Sequence, residues 1–84
     1  MASIDFHIEH IFRRSAGVIA VGRTEGGQRW LLVRVADPGV ILRYGDALTL
    51  TQQPQEQWEL SNKGGFALML PATDIRILPP GEPI

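Results

Sequence analysis

Apolar and polar positions alternate from the start of the chain. Ile4, Phe6 and Ile8 point one way and Asp5, His7 and Glu9 the other, the period-two signature of a strand with one buried face. The phase slips at His10, where Ile11 and Phe12 follow as neighbours, which predicts a bulge or the end of the strand. Arg13–Gly17 reads as a turn, Val18–Val21 as a short β-branched strand closed by Gly22, and Thr24–Gln28 as a second turn around two adjacent glycines. Trp30–Val35 is apolar on both faces, and Asp37-Pro38-Gly39 breaks it. Val40-Ile41-Leu42 is a further short apolar run, followed by a Tyr44-Gly45-Asp46 turn. Ala47–Thr51 alternates again, with Leu48 and Leu50 inward and Thr49 and Thr51 outward. Gln52–Gln57 reads as a polar loop leading to a short strand at Trp58 and Leu60, rather than as a helix begun at Pro54. Ser61–Gly65 is a hairpin-like turn and Phe66–Leu70 a buried run ended by Pro71. Ile75 and Ile77 alternate with Asp74 and Arg76 in a last strand, and Pro79–Pro83 reads as a stiff extended tail.

Six or seven short strands with turn residues every eight to twelve positions predict an all-β fold, a barrel or a sandwich. Nine glycines and six prolines in 84 residues supply the punctuation such a fold needs. One domain at 1–78 and a proline-rich tail at 79–84 account for the length. A domain this small is expected to be stable by about 4–13 kcal/mol. A net charge of −1 excludes a strongly basic nucleic-acid arm and an acidic tail. The absence of cysteine removes disulfides, thiolate metal sites and cysteine nucleophiles. With no basic leader and no long apolar run, a cytoplasmic location is expected, without membrane attachment.

Few patterns carry chemistry. His7 and His10 are three apart, which on a strand puts them on opposite faces. Asp5, His7 and Glu9 share a face, which fits a divalent cation or a proton-transfer group but equally the solvated side of an outer strand. Gly22-Arg23-Thr24-Glu25-Gly26-Gly27 lacks the Gly-Lys-Ser/Thr ending of a phosphate loop and any following helix. Ser3, Ser15 and Ser61 lie in no nucleophile-elbow pattern. No enzymatic activity and no cofactor are therefore expected.

Seven of the eight basic residues are arginine, and six of those fall between Arg13 and Arg43, where the acids are Glu25 and Asp37. Arginine forks suit phosphates and carboxylates, so Arg13, Arg14, Arg23, Arg29 and Arg43 are candidate RNA contacts, with Phe12, Trp30, Tyr44 or Trp58 available for base stacking. The two-faced Trp30–Val35 strand is a candidate interface. Trp30 and Leu32 lie on one side, Leu31, Val33 and Val35 on the other. An exposed apolar strand invites pairing unless it is covered. Either the Gln52–Gln57 segment or the Pro79–Pro83 tail covers it, or it meets a second copy or a partner chain through Trp30, Leu31, Val33 and Val35. On the interface reading, glutamate at both Leu31 and Val33 leaves a folded monomer.

Phe6-His7-Ile8-Glu9-His10-Ile11-Phe12, then Gly17–Gly27, and further on Ile41–Leu50 with its Gly45-Asp46, Gly65–Leu70 and Asp74-Ile75, resemble the second domain of elongation factor Tu and its translational GTPase relatives over about residues 6–78. The resemblance implies a small closed antiparallel barrel, which in that family follows a GTP-binding domain and helps hold the aminoacylated end of tRNA. Two departures bear on function. Pro71 stands where the family has an arginine close to the tRNA end, and Gln28–Val40 inserts an apolar strand that the family's barrel closes without. No GTP binding is expected. The expected role is a non-catalytic, free-standing binding module with a protein partner or self-association. The alternative is RNA or ribosome association through the arginines of the first half.

Overall fold

The computed structural model describes residues 2–37, 39–62 and 65–82. Seven strands form it: β1 (Ser3–Arg14), β2 (Gly17–Thr24), β3 (Trp30–Val35), β4 (Ala47–Gln53), β5 (Gln57–Ser61), β6 (Ala67–Pro71) and β7 (Ile75–Ile77). They make one antiparallel sheet in the order β6-β5-β4-β1-β2-β3-β7, curled into a nearly closed barrel. No α-helix occurs among the described residues, and no helix is long and apolar enough to cross a membrane.

The alternation seen in the sequence fixes which residues line the interior. Ile4, Leu50, Leu60 and Leu68 form one inward row across β1, β4, β5 and β6. Ile11, Ala20, Val33 and Ile75 form another across β1, β2, β3 and β7. Phe6, Ile8, Leu31, Leu48 and Leu42 fill the space between them, all buried. Gly22 sits opposite Ile8 and Leu31, and a Cβ there would lie 2.6 Å from Cδ2 of Phe6. The glycine is what lets the Phe6 ring enter the core.

The phase slip at His10 is a bulge. The β1–β2 register shifts between Ile8 and His10. β1 pairs with β4 from Ser3 to His7, and the next backbone groups pair with the Tyr44–Asp46 turn instead: Ile8 N–H donates to Asp46 O (2.9 Å) and Gly45 N–H to Ile8 O (2.8 Å). The bulge lets β1 leave one neighbour while keeping the other, so its second half extends to Arg14 on β2 alone.

The sheet closes through its last strand. Successive antiparallel steps make β6 and β7 run in the same direction, and only the single 3-10 turn Ala72–Asp74 separates them. They act as one bent strand whose first half pairs with β5 and whose second half pairs with β3.

Several local expectations are corrected. The short apolar run Val40–Leu42 lies in a loop, from which Leu42 plugs the core. Gln52 and Gln53 belong to β4 and Gln57 to β5, with a tight reversal at residues 54–56 in which Gln55 (φ 65°) and Glu56 (φ 56°) are left-handed. The Phe66–Leu70 run buries Leu70 but leaves Met69 47% exposed, because β6 has a solvent face. The tail is not extended at its start: Glu82 N–H donates to Pro79 O, and Gly81 N–H to Gln28 O. Pro38, Lys63, Gly64 and Pro83, which the turn and tail expectations include, lie outside the described residues.

Candidate functional site

β3 is the strand on which sequence and structure differ most. Leu31 and Val33 are 0% exposed and Val35 1%, all in the core cluster. They are therefore not available to a partner, and the interface expected of them is withdrawn. The outward face carries Trp30, Leu32 and Arg34. Charge is the physical reason: Arg34 shares its parity with Leu32 and Trp30, and a guanidinium cannot be left in a dry barrel interior. β3 is also no dispensable insertion, because it joins β2 to β7 and so carries the closure of the barrel. The tail reaches only its Trp30 end, where Leu78 N–H donates to Trp30 O. Residues 52–57 lie on the other side of the sheet.

The five arginines proposed as RNA contacts do not converge. Arg13 and Arg14 end β1 beside Gly17 and Val18, whereas Arg23 lies opposite His7 and Trp30, ~17 Å further along β2 at ~3.3 Å per residue. Arg29 is exposed beyond that same end, and Arg43 is exposed on the β3–β4 connection. Arg14 lies 5.8 Å from the Phe12 ring. Arg23 is committed locally: its guanidinium is 4.9 Å from the Trp30 ring, it donates to Gly27 O (3.0 Å), and it lies 3.8 Å from Glu9 Oε1. Its Nε is buried without a hydrogen-bond partner, so the stack on Trp30 and the Gly27 bond hold it. A double-mutant cycle between Arg23→Ala and Trp30→Ala, read by thermal unfolding, should return a coupling of about 0.5–1 kcal/mol. A coupling of zero would show that the stack does not hold in solution.

The carboxylate–histidine group is also spread among separate partners. His7 Nε2 and Glu9 Oε1 are 3.3 Å apart, while Asp5 Oδ1 accepts from Thr49 Oγ1 at 2.7 Å. His10 meets Tyr44 edge to face at 6.5 Å. Among the described residues no group of three His, Asp or Glu side chains is placed to hold a metal ion.

The arrangement that does stand out is the outer face of β1, β2, β3 and β7. Cross-strand register gives it two adjacent rows: His10, Val21, Leu32 and Arg76, then Phe12, Ile19 and Arg34. Phe12 and Ile19 are direct cross-strand neighbours, with Cβ atoms ~4.5–5.5 Å apart, and Leu32 is the diagonal neighbour of Ile19, so the three form an apolar group over Val21. Phe12, Ile19 and Leu32 stand outside the core cluster, whereas Val21 is buried at 4% exposure. Phe12 is 46% exposed, and Ile19 and Leu32 are half-buried. Arg14, Arg34 and Arg76 surround the group, all exposed, and among the described residues none of the three pairs with an acid. A cleft of about 190 Å³ lies between Ile19, Leu32 and Arg34 on one side and Thr73–Arg76 on the other. A second hollow of about 360 Å³ continues from Ile19 and Arg34 to Arg14 and Gly17. Of this face, Phe12 is legible in the sequence as an aromatic beside arginines. Ile19, Leu32, Arg34 and Arg76 are not, and the parity of Arg34 within β3 is the signal that reveals them. Comparison with protein-family models, with curated proteins and with solved structures finds no match.

Proposed function

We propose that the chain is a non-catalytic binding module whose partner is a protein, and that it docks through the outer face of β1–β2–β3. The carrying observation is the apolar group Phe12, Ile19 and Leu32, outside the core cluster, backed by the buried Val21 and bordered by three arginines that among the described residues have no acidic partner. An apolar centre with a charged rim is the anatomy of a protein interface. The interior supports no competing small-molecule reading, because Phe6, Ile8, Leu31, Leu42, Leu50 and Leu60 fill it. The likeness of Gly22–Gly27 and Gly45-Asp46 to translation-factor barrels agrees with a binding role. The structure gives those same residues local work, with Gly26, Gly27 and Gly45 all at positive φ.

The test is capture from native lysate with the wild-type chain and with Leu32→Glu, both shown folded by circular dichroism. A protein retained by the first and lost by the second supports the reading, whereas identical captures remove it. The RNA alternative predicts otherwise. With Arg13 and Arg14 separated from Arg23 and Arg29, and Arg23 engaged with Trp30 and Gly27, binding to tRNA should stay at the nonspecific level, on the order of 10⁻⁴–10⁻⁶ M, and fade as salt rises. A salt-resistant, sub-micromolar tRNA complex in a filter-binding assay would replace the protein reading with the nucleic-acid one.

A further inference from the structure

We infer that the partner presents an acidic, apolar peptide segment, whose aliphatic or aromatic side chains enter the Ile19–Leu32 cleft and whose carboxylates meet Arg34, Arg76 and Arg14. This rests on the protein-binding reading above and adds the chemistry of the partner. The argument is charge complementarity around a specific cleft. Arg34 and Arg76 stand on two sides of it, with Ile19 and Leu32 forming its apolar wall and Asp74 its one acid. The adjoining hollow adds Arg14, with Ser15 and Gly17. Three cations thus face one carboxylate, and among the described residues no ion pair neutralises them. Arginine forks bind carboxylates in a planar two-point geometry, and they do so more strongly beside apolar surface that excludes water.

The other occupants fit less well. A second copy docked by a two-fold axis would place arginine against arginine, because such an interface is self-complementary. Asp74 is the one acid such a copy would offer from the cleft itself, and Asp5, Glu25 and Asp46 line a different hollow beside the β1–β4 pair. A nucleic acid would find phosphate contacts but little stacking at the cleft, since Ile19 and Leu32 are aliphatic and base stacking needs aromatic faces.

The experiment is selection from a phage-displayed library of random dodecapeptides on the immobilised full chain. The best peptide is then titrated against wild type, Leu32→Glu, Ile19→Thr, and the exposed-site reversals Arg34→Glu and Arg76→Glu. Polyuridine RNA is titrated in parallel, and light scattering reports the mass of each protein. The inference expects enriched peptides with acids flanking an apolar pair, binding abolished by Leu32→Glu, weakened by Ile19→Thr, and reduced about tenfold or more by each arginine reversal. Peptides without acids, or affinity unchanged by both reversals while Leu32→Glu still abolishes it, overturn the acidic partner and leave the docking face standing. If no selected peptide depends on Leu32 or Ile19, the docking face itself fails and the inference with it. Tighter binding to polyuridine than to any peptide assigns the arginines to phosphate and overturns it, as does a wild-type dimer that Leu32→Glu or Ile19→Thr converts to a monomer. The arginine reversals lie on solvent-facing side chains and keep the result interpretable if Leu32→Glu does not fold.

Discussion

Replacing Leu31 and Val33 together by glutamate unfolds the domain. Both side chains are fully buried and belong to one packed cluster with Phe6, Ile8 and Leu50. Each substitution places a carboxylate among aliphatic groups with no cation facing it, which costs several kcal/mol per charge or forces the acid to protonate. Two such costs meet a total stability of about 4–13 kcal/mol. The same reasoning scales down: Leu31→Ala alone should cost about 2–5 kcal/mol by leaving a cavity. Far-ultraviolet circular dichroism and size exclusion decide the matter. A double variant that runs as a compact, folded particle would mean that the parity of β3 is the reverse of the one described.

Gly17→Ala should be the most damaging replacement of a glycine among the described residues. Gly17 begins β2 at φ 142°, and a Cβ built there falls 2.2 Å from Val35 O and 2.9 Å from Ala36 Cα. Both obstacles are backbone, so no side chain can swing aside. Strain at that φ costs about 1–3 kcal/mol, and forcing the two strands apart adds about 1–3 kcal/mol of overpacking. Gly26 provides the control. It too has a positive φ, 83°, but nothing lies within 4 Å of its added Cβ, so alanine there costs only the left-handed penalty of ~1–2 kcal/mol. Paired thermal melts should separate the two variants clearly, since 1 kcal/mol shifts the midpoint of a domain this size by about 4–8 °C. Equal melting temperatures would refute the close approach of β2 to the end of β3.

Strand identity was largely legible because period two is a local property. Ile4, Phe6 and Ile8, Leu48 and Leu50, and Ile75 and Ile77 all announce their buried parity by the polar residues between them, and the structure seats each group inward. The bulge at His10 was legible for the same reason, as a break in phase. β3 was harder because five of its six residues are apolar. Apolar character alone leaves two parities open there, and the lone Arg34 decides between them. Beyond Phe12 and the parity of Arg34, the candidate docking face was not legible, because its assembly depends on register. Phe12, Ile19 and Leu32 stand on three successive strands, and only the registers of β1 with β2 and of β2 with β3 make them neighbours. Arg76 reaches the same face only because β7 departs from β6 to pair with β3, a topological choice that no local pattern encodes.

That last pairing has a consequence for the nascent chain. Leu31 pairs with Ile77 across more than half the length of the protein, so the backbone edge of β3 stays bare from the moment Val35 is made until β7 follows. At ~5–20 residues per second, synthesis leaves that edge open for ~2–8 s. Throughout that interval the most apolar strand of the molecule is a template for pairing with any other unfinished chain nearby. The vulnerable period in the life of this protein is therefore on the ribosome, and it ends only when the final strand arrives.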